Sequence, residues 1–132
     1  MKISRRDDFA LVFMKVLAEQ YCEKFISVSL IAKKTKLSPL FLKHIASSLR
    51  DHRLIESREG IAGGYRLSRE PKAISVAQIL KATSEKIINP SCVHGTCRLE
   101  KKNCTCFSFW NKVNSKFLDY LGDITLAQFS KY

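Results

Sequence analysis

A glycine-rich connection between two short strand-like segments is the feature that most restricts the fold of this chain. Three of the five glycines, Gly60, Gly63 and Gly64, lie in this connection. The flanking segments, Leu54–Ser57 and Tyr65–Ser68, have the length and composition of strands. Glycine permits positive φ angles and lets the backbone approach a second surface closely. The pattern predicts a β-hairpin in a chain that otherwise shows helical periodicity.

Three helices are predicted before this hairpin. The first has apolar residues at helical spacing and begins at an acidic cap, Asp7 or Asp8. Ser27 or Ser29 caps a short second helix, and Ser38, followed by proline, caps a third. The third helix is expected to bury a stripe that consists of Leu42, Ile45, Ala46 and Leu49. Two helices joined by a tight turn and followed by a basic hairpin indicate a winged helix-turn-helix, whose second paired helix enters the major groove of DNA.

Two further helices are predicted after the hairpin. Ser75 and Gln78 form a capping box at the start of one, and a longer helix ends near Gly122. The longer helix carries a stripe of bulky residues, namely Trp110, Val113, Phe117, Leu118 and Leu121. Such a stripe can fold back on the domain or form a dimer seam. We therefore predict a mainly α fold with a small β-hairpin wing, divided into a DNA-binding domain (residues 1–82) and a cysteine loop with a dimerisation helix (residues 83–132).

The charge of the chain favours a polyanionic partner. Its 23 Lys and Arg against 12 Asp and Glu give a formal charge of +11, which indicates nucleic acid. No catalytic Ser-His-Asp or Cys-His arrangement and no phosphate-binding glycine loop supports an enzyme. The sequence has no apolar run of about 18 residues and no signal peptide, so we expect a cytoplasmic protein without a membrane partner.

Four of the five cysteines, Cys92, Cys97, Cys104 and Cys106, lie within fifteen residues. Disulfides are rare in the cytoplasm, so this cluster predicts metal ligands or redox-active thiols. Thiolates converging on one loop suit a zinc ion or an iron-sulfur cluster.

Taken together, these motifs resemble the Rrf2 family of bacterial winged-helix repressors, which includes an iron-sulfur cluster regulator, a nitric-oxide-sensing repressor and a cysteine-metabolism regulator. The matching segments are residues 1–4, 37–42, 60–67 and 74–75, the cysteines before Trp110, and residues 124–126. The resemblance implies a homodimer that binds an imperfect palindrome in double-stranded DNA through two recognition helices and two wings. It further implies an iron-sulfur cluster that senses nitric oxide, redox state or iron supply and thereby controls operator affinity.

The resemblance also implies the cluster ligands. Cys92, Cys97 and Cys104 match the three cysteines that hold a [4Fe-4S] or [2Fe-2S] cluster in the family, although the gaps here contain four and six residues instead of five each. Phe107 stands where some relatives place a histidine ligand. Two alternatives remain for the fourth ligand, Asp8 from the partner subunit and Cys106.

Two other interpretations stay open. One is a thiol-based redox regulator without a cluster, in which Cys104 and Cys106 or a neighbour oxidise reversibly. The other is a structural zinc module with an incidental basic surface. His94 is a weaker candidate ligand, and Cys22 is expected to be a buried apolar residue.

The predicted DNA contacts lie at the start of the third helix and in the wing. They are Ser38, Leu40, Lys43 and His44 in the helix, and Arg58 with the backbone of Gly60, Gly63 and Gly64 in the wing. Many relatives have glutamate where Lys43 stands and arginine where Glu59 stands. We therefore expect an operator unlike theirs.

Overall fold

The computed structural model describes residues 3–21, 24–84 and 103–132. In chain order the elements are α1 (Arg5–Glu19), α2 (Val28–Thr35), α3 (Pro39–Asp51), β1 (Ile55–Arg58), β2 (Gly64–Leu67), a 3-10 turn (Pro71–Ala73), α4 (Val76–Thr83), α5 (Thr105–Gly122) and α6 (Leu126–Phe129). The strands form one antiparallel hairpin. The predicted fold, mainly α with a small hairpin wing, is confirmed. None of the described helices has the length and apolar character that a membrane span requires.

Helix α1 is capped by Ser4, so the predicted acidic cap at Asp7 or Asp8 is wrong. The Ser4 hydroxyl accepts a hydrogen bond from the Asp7 backbone amide at 3.1 Å. The Asp7 carboxylate in turn accepts from the Ser4 amide at 3.1 Å, which completes a capping box. An N-cap side chain must reach the amide three residues later, and Ser4 has that position because the helix begins at Arg5.

The helix-turn-helix follows the predicted boundaries. The Ser27 hydroxyl caps α2 by accepting from the Leu30 amide at 3.2 Å, and the Ser38 hydroxyl caps α3 by accepting from the Phe41 amide at 3.2 Å. Between these helices, Lys36 adopts a left-handed conformation (φ 59°), which ends α2 and turns the chain. The predicted stripe of α3 is buried, with exposures of 1% or less at Leu42, Ile45, Ala46 and Leu49.

The hairpin pairs Ile55 with Leu67 and Arg58 with Gly64. Each strand is thus displaced by one residue from its prediction. Arg53 has a φ of 58° that turns the chain after α3, and Leu54 is buried in the core before the ladder begins. At the other end, Gly64 joins the ladder because glycine tolerates its positive φ of 146°.

The core lies between α1, α2, α3, α4, the hairpin and α6. A second, smaller cluster joins Val76 and Leu80 of α4 to the C-terminal half of α5, through Phe117, Leu118 and Leu121. The predicted stripe of the long helix is therefore divided, because Trp110 near its start is 40% exposed. Helix α4 begins at the predicted Ser75–Gln78 capping box, and α5 ends at Gly122 as predicted. The division of the chain at residue 82 stays a prediction.

Candidate nucleic-acid interface and cysteine region

A groove of about 670 Å³ lies between α3, the start of α2 and the hairpin. Its described lining contains three cationic side chains, Lys43, Arg50 and Arg58, against the single carboxylate of Glu59. Arg50 links α3 to the hairpin by donating to the Ser57 hydroxyl at 3.2 Å. The excess of positive charge along a groove beside an exposed helix face suits a phosphate backbone.

The structure brings part of the predicted DNA-binding set together in this groove. Lys43 lines it with Arg58, Gly60, Gly63 and Gly64. The remaining residues, Ser38, Leu40 and His44, are exposed on α3 or at its cap. Ser38 lines a different pocket of about 420 Å³, together with three basic residues, Arg5, Arg6 and Lys36. Positive charge therefore flanks the start of α3 on two sides.

The basic side chains of the hairpin stack on Phe25. The guanidinium carbon of Arg58 lies 5.2 Å from the centre of the Phe25 ring, and that of Arg66 lies 4.4 Å from it. Arg66 also forms an ion pair with Glu56 at 2.8 Å across the hairpin. Phe25 is absent from the predicted site because nothing in the local sequence places it beside arginines far along the chain. Arg50 and Ser29 also line the groove without having been predicted as contacts.

The three wing glycines are required for different structural reasons. A Cβ atom on Gly64 would lie 2.0 Å from the Ile26 carbonyl oxygen, and one on Gly63 would lie 2.2 Å from the Arg58 carbonyl oxygen. The close approach expected for these glycines thus occurs within the chain itself. Gly60 has a φ of 102°, and an added Cβ would meet no atom of the described residues within 4 Å. Contacts of these three residues with DNA stay predictions.

The predicted cluster ligands are described only in part. Cys92, Cys97, the weaker candidate His94, and Cys22 lie outside the described residues. Cys104 is a half-buried free thiol at the N-cap of α5, and Cys106 is an exposed free thiol in its first turn. Within residues 3–21, 24–84 and 103–132, no three His, Cys, Asp or Glu side chains form a group that could hold a metal. Asp8, the candidate fourth ligand, is exposed on α1.

Asp7 forms a hydrogen-bonded connection between α1 and the end of α4. Only 4% of it is exposed, and its carboxylate accepts from the hydroxyls of Thr83 at 2.5 Å, Ser84 at 2.8 Å and Ser4 at 2.6 Å. Burial acts to raise the pKa of Asp7, but the hydrogen bonds from Ser4, Thr83 and Ser84 outweigh it, so the pKa lies below its ordinary value. Ser84 directly precedes the segment that contains Cys92 and Cys97.

Comparison with known proteins gives one consistent result. Residues 3–132 match the family described as "Rrf2: Iron-dependent Transcriptional regulator". The chain is 27% identical over 132 residues to the HTH-type transcriptional regulator IscR of Vibrio atlanticus, a match that covers 99% of this chain and 76% of that protein.

Two solved structures are similar in fold as well as in sequence. That of T. potens IscR has a TM-score of 0.76 and 29% identity, and the match covers 99% of this chain and 87% of the other. That of CymR, the global cysteine regulator of B. subtilis, has a TM-score of 0.77 and 28% identity, over 100% and 98% of the two chains. Both similarities extend over the helix-turn-helix, the hairpin and the C-terminal helices described above.

Proposed function

Because the chain belongs to the Rrf2 family of transcriptional regulators, we propose that it is a homodimeric cytoplasmic repressor whose affinity for a palindromic operator is controlled by an iron-sulfur cluster. The main support for DNA binding is the groove that both Lys43 of α3 and Arg58 of the wing line. A helix and a hairpin that share a positive groove can contact a duplex simultaneously, the helix at base edges and the hairpin beside it.

The surface of α5 supports the homodimer. Its C-terminal half packs on α4, but Phe109 and Trp110 near its start are 55% and 40% exposed, with their rings in edge contact at 5.0 Å. Exposed aromatic pairs of this kind are common at the centre of protein interfaces. A second copy of the same helix would cover both rings and place two recognition helices on one face of a duplex.

The dimer can be tested by sedimentation. Trp110→Ser is expected to weaken self-association at least tenfold, whereas Tyr132→Ser, at an aromatic residue that is 87% exposed outside α5, is expected to leave it unchanged. Equal self-association of Trp110→Ser and wild type would contradict the assignment of this surface.

For the cluster, Cys92, Cys97 and Cys104 would be the protein ligands. The position of Cys104 suits a thiolate, because Cys104 is the N-cap residue of α5 and a helix N-terminus favours negative charge. When bound, the cluster would supply a group sensitive to nitric oxide, oxygen or iron shortage. Loss of the cluster from Cys104 would alter the start of α5, because Cys104 is the N-cap residue of this helix. Helix α5 packs on α4 through Phe117, Leu118 and Leu121. Helix α4 is in turn tied to α1 through Asp7.

The deciding experiment is anaerobic purification of the wild type, Asp8→Ala and Cys106→Ala, with absorption spectra and analysis of iron and sulfide. Wild type is expected to be coloured and to contain both elements. Loss of the cluster in one variant alone identifies the fourth ligand, Asp8 or Cys106.

A second experiment tests control of DNA binding. The protein is used to select duplexes from a randomised library, and its affinity for the selected duplex is measured before and after cluster removal. Unchanged affinity would contradict control by the cluster.

A thiol-based regulator is the second candidate, and the fold similarity to the cysteine regulator CymR favours it over a zinc module. Cys106 is exposed and close in sequence to the half-buried Cys104, so one thiol is open to an oxidant. A colourless protein without iron or sulfide that binds the selected duplex fully, and releases it after mild oxidation, would establish this candidate. Tightly bound zinc, together with no preference for any duplex, would contradict both.

A further inference from the structure

The wing ends in a tight turn that carries two apolar side chains into solvent. The Gly60 carbonyl accepts a hydrogen bond from the Gly63 amide at 3.0 Å, which places Ile61 and Ala62 at the two central positions of the turn. Ile61 has a relative exposure of 109%, and Ala62 is also exposed. An aliphatic side chain that packs on nothing among the described residues forgoes the free energy of burial.

This apolar tip is joined to the core through the base of the hairpin. Ile26 and Tyr65 exchange two backbone hydrogen bonds of 2.8 Å, and the Tyr65 ring packs against Phe13 with 5.7 Å between the ring centres. The side chain of Ile61 contributes nothing to that support. Because the base of the hairpin is anchored to the core, the backbone loses less conformational entropy when the tip binds a partner.

The tip is continuous with the groove but differs from it in charge. Ile61 lines the same groove as Lys43 and Arg50 of the adjoining helix. The two charged residues before the turn, Arg58 and Glu59, have opposite sign, and the Arg58 guanidinium stacks on Phe25. At its extreme end the wing therefore presents aliphatic surface instead of a cation.

We propose that Ile61, together with Ala62, contacts the floor of the DNA minor groove and disfavours G·C pairs there. This inference rests on the proposed DNA-binding function. The minor groove distinguishes G·C from A·T by the guanine 2-amino group, and apolar side chains are used by proteins that bind this groove. An isoleucine pressed against that amino group would remove its water without offering an acceptor, which costs free energy. The wing thus selects the base pairs that flank those read by α3.

The test uses two alternating duplex polymers, poly(dI-dC) and poly(dG-dC), which differ only in the guanine 2-amino group of the minor groove. Competition for a labelled duplex measures the affinity of the full-length protein for each. Wild type is expected to bind poly(dI-dC) about tenfold more tightly than poly(dG-dC), because binding to poly(dG-dC) leaves one amino group without water or an acceptor. Ile61→Ser is expected to remove most of this preference. Ile3→Ser is the matched control, because Ile3 is an exposed isoleucine that does not line the groove and should leave the ratio unchanged.

A second variant tests where the tip lies. Ile61→Arg places a cation at the tip, so the slope of log affinity against log salt is expected to steepen by about 0.9 if phosphates border it. An unchanged slope would overturn the proposal, as would equal binding of both polymers by wild type.

An Ile61→Ser protein with the wild-type ratio would also overturn the proposal, and would indicate that the tip meets another protein. Failure of the wild type to bind either polymer at low salt would contradict the DNA-binding function itself, so the two failures are distinguishable. Circular dichroism confirms that each variant folds, as expected for changes at a fully exposed residue.

Discussion

Replacing Asp7 with Ala is expected to destabilise the fold by far more than replacing its neighbour Asp8. The Asp7 carboxylate is the acceptor that joins the start of α1 to Thr83 and Ser84 at the end of α4, with hydrogen bonds of 2.5 and 2.8 Å. It also completes the capping box with Ser4. The alanine variant loses all of these hydrogen bonds at once, because they share the Asp7 carboxylate as acceptor.

The size of the effect follows from the hydrogen bonds. A hydrogen bond to a charged group contributes about 1.5 to 3 kcal/mol. Thr83 and Ser84 are only partly buried, so their freed hydroxyls can bind water, and the lower value applies to each. Loss of the reciprocal contact with Ser4 adds about 0.5 kcal/mol. We therefore expect Asp7→Ala to lower the free energy of unfolding by about 3 to 4 kcal/mol, a large part of the usual 5 to 15 kcal/mol.

Urea denaturation of metal-free protein, followed by circular dichroism, measures this difference. Asp8→Ala is the matched control, since Asp8 is exposed in the same helical turn, and is expected to cost less than about 1 kcal/mol. A double-mutant cycle of Asp7→Ala with Thr83→Val should give a coupling of at least about 1 kcal/mol. Equal effects of the Asp7 and Asp8 variants, or additive effects in the cycle, would refute the connection between α1 and α4.

The same carboxylate predicts a dependence of stability on pH. Because hydrogen bonds hold the pKa of Asp7 below its ordinary value despite burial, the unfolded chain takes up this proton first as the pH falls. The stability that Asp7 contributes is fully present above about pH 4 and is lost as the pH falls through the lower pKa of the folded state. Asp7→Asn should lack this component, so its difference from wild type should shrink in acid. A constant difference from pH 2 to pH 7 would contradict the lowered pKa.

Two further predictions concern the wing and the recognition helix. Gly64→Ala should cost about 3 kcal/mol or more in urea denaturation, because its Cβ would lie 2.0 Å from the Ile26 carbonyl oxygen, whereas Gly60→Ala should cost only about 1 kcal/mol from its positive φ. Lys43→Ala should change the sequences selected from a randomised library, and Lys36→Ala should weaken binding to all duplexes alike and reduce the salt slope by about 0.9. Identical behaviour of the two lysine variants would contradict the placement of the recognition helix.

The elements that were predicted correctly depend on short-range signals. Ser38 caps α3, Ser75 caps α4, and the α3 stripe from Leu42 to Leu49 is buried. Each signal depends on residues within one or two helical turns, where spacing alone fixes the geometry. The glycine-rich connection likewise predicts the hairpin, because few other residues tolerate the φ angles at Gly60 and Gly64.

Apart from the α1 cap and the one-residue displacement of the strands, which are local features, the missing predictions concern contacts between distant segments. Asp7 and Asp8 have the same chemistry and adjacent positions, and only the packing of α4 against α1 buries one carboxylate and leaves the other exposed. Phe25 likewise lies under Arg58 only because the wing folds back on the segment before α2.

Local residue patterns were thus sufficient for helices α1 to α5, for the caps of α2, α3 and α4, for the wing and for the likeness to Rrf2 regulators. Tertiary packing decided which charges meet, which glycines are required by the chain's own backbone, and that Ile61 at the tip is buried against none of the described residues. The physical reason is the distance along the chain over which each interaction acts. Capping and periodicity act within a few residues, whereas burial and the partners of a charge depend on segments whose approach is set by the whole core.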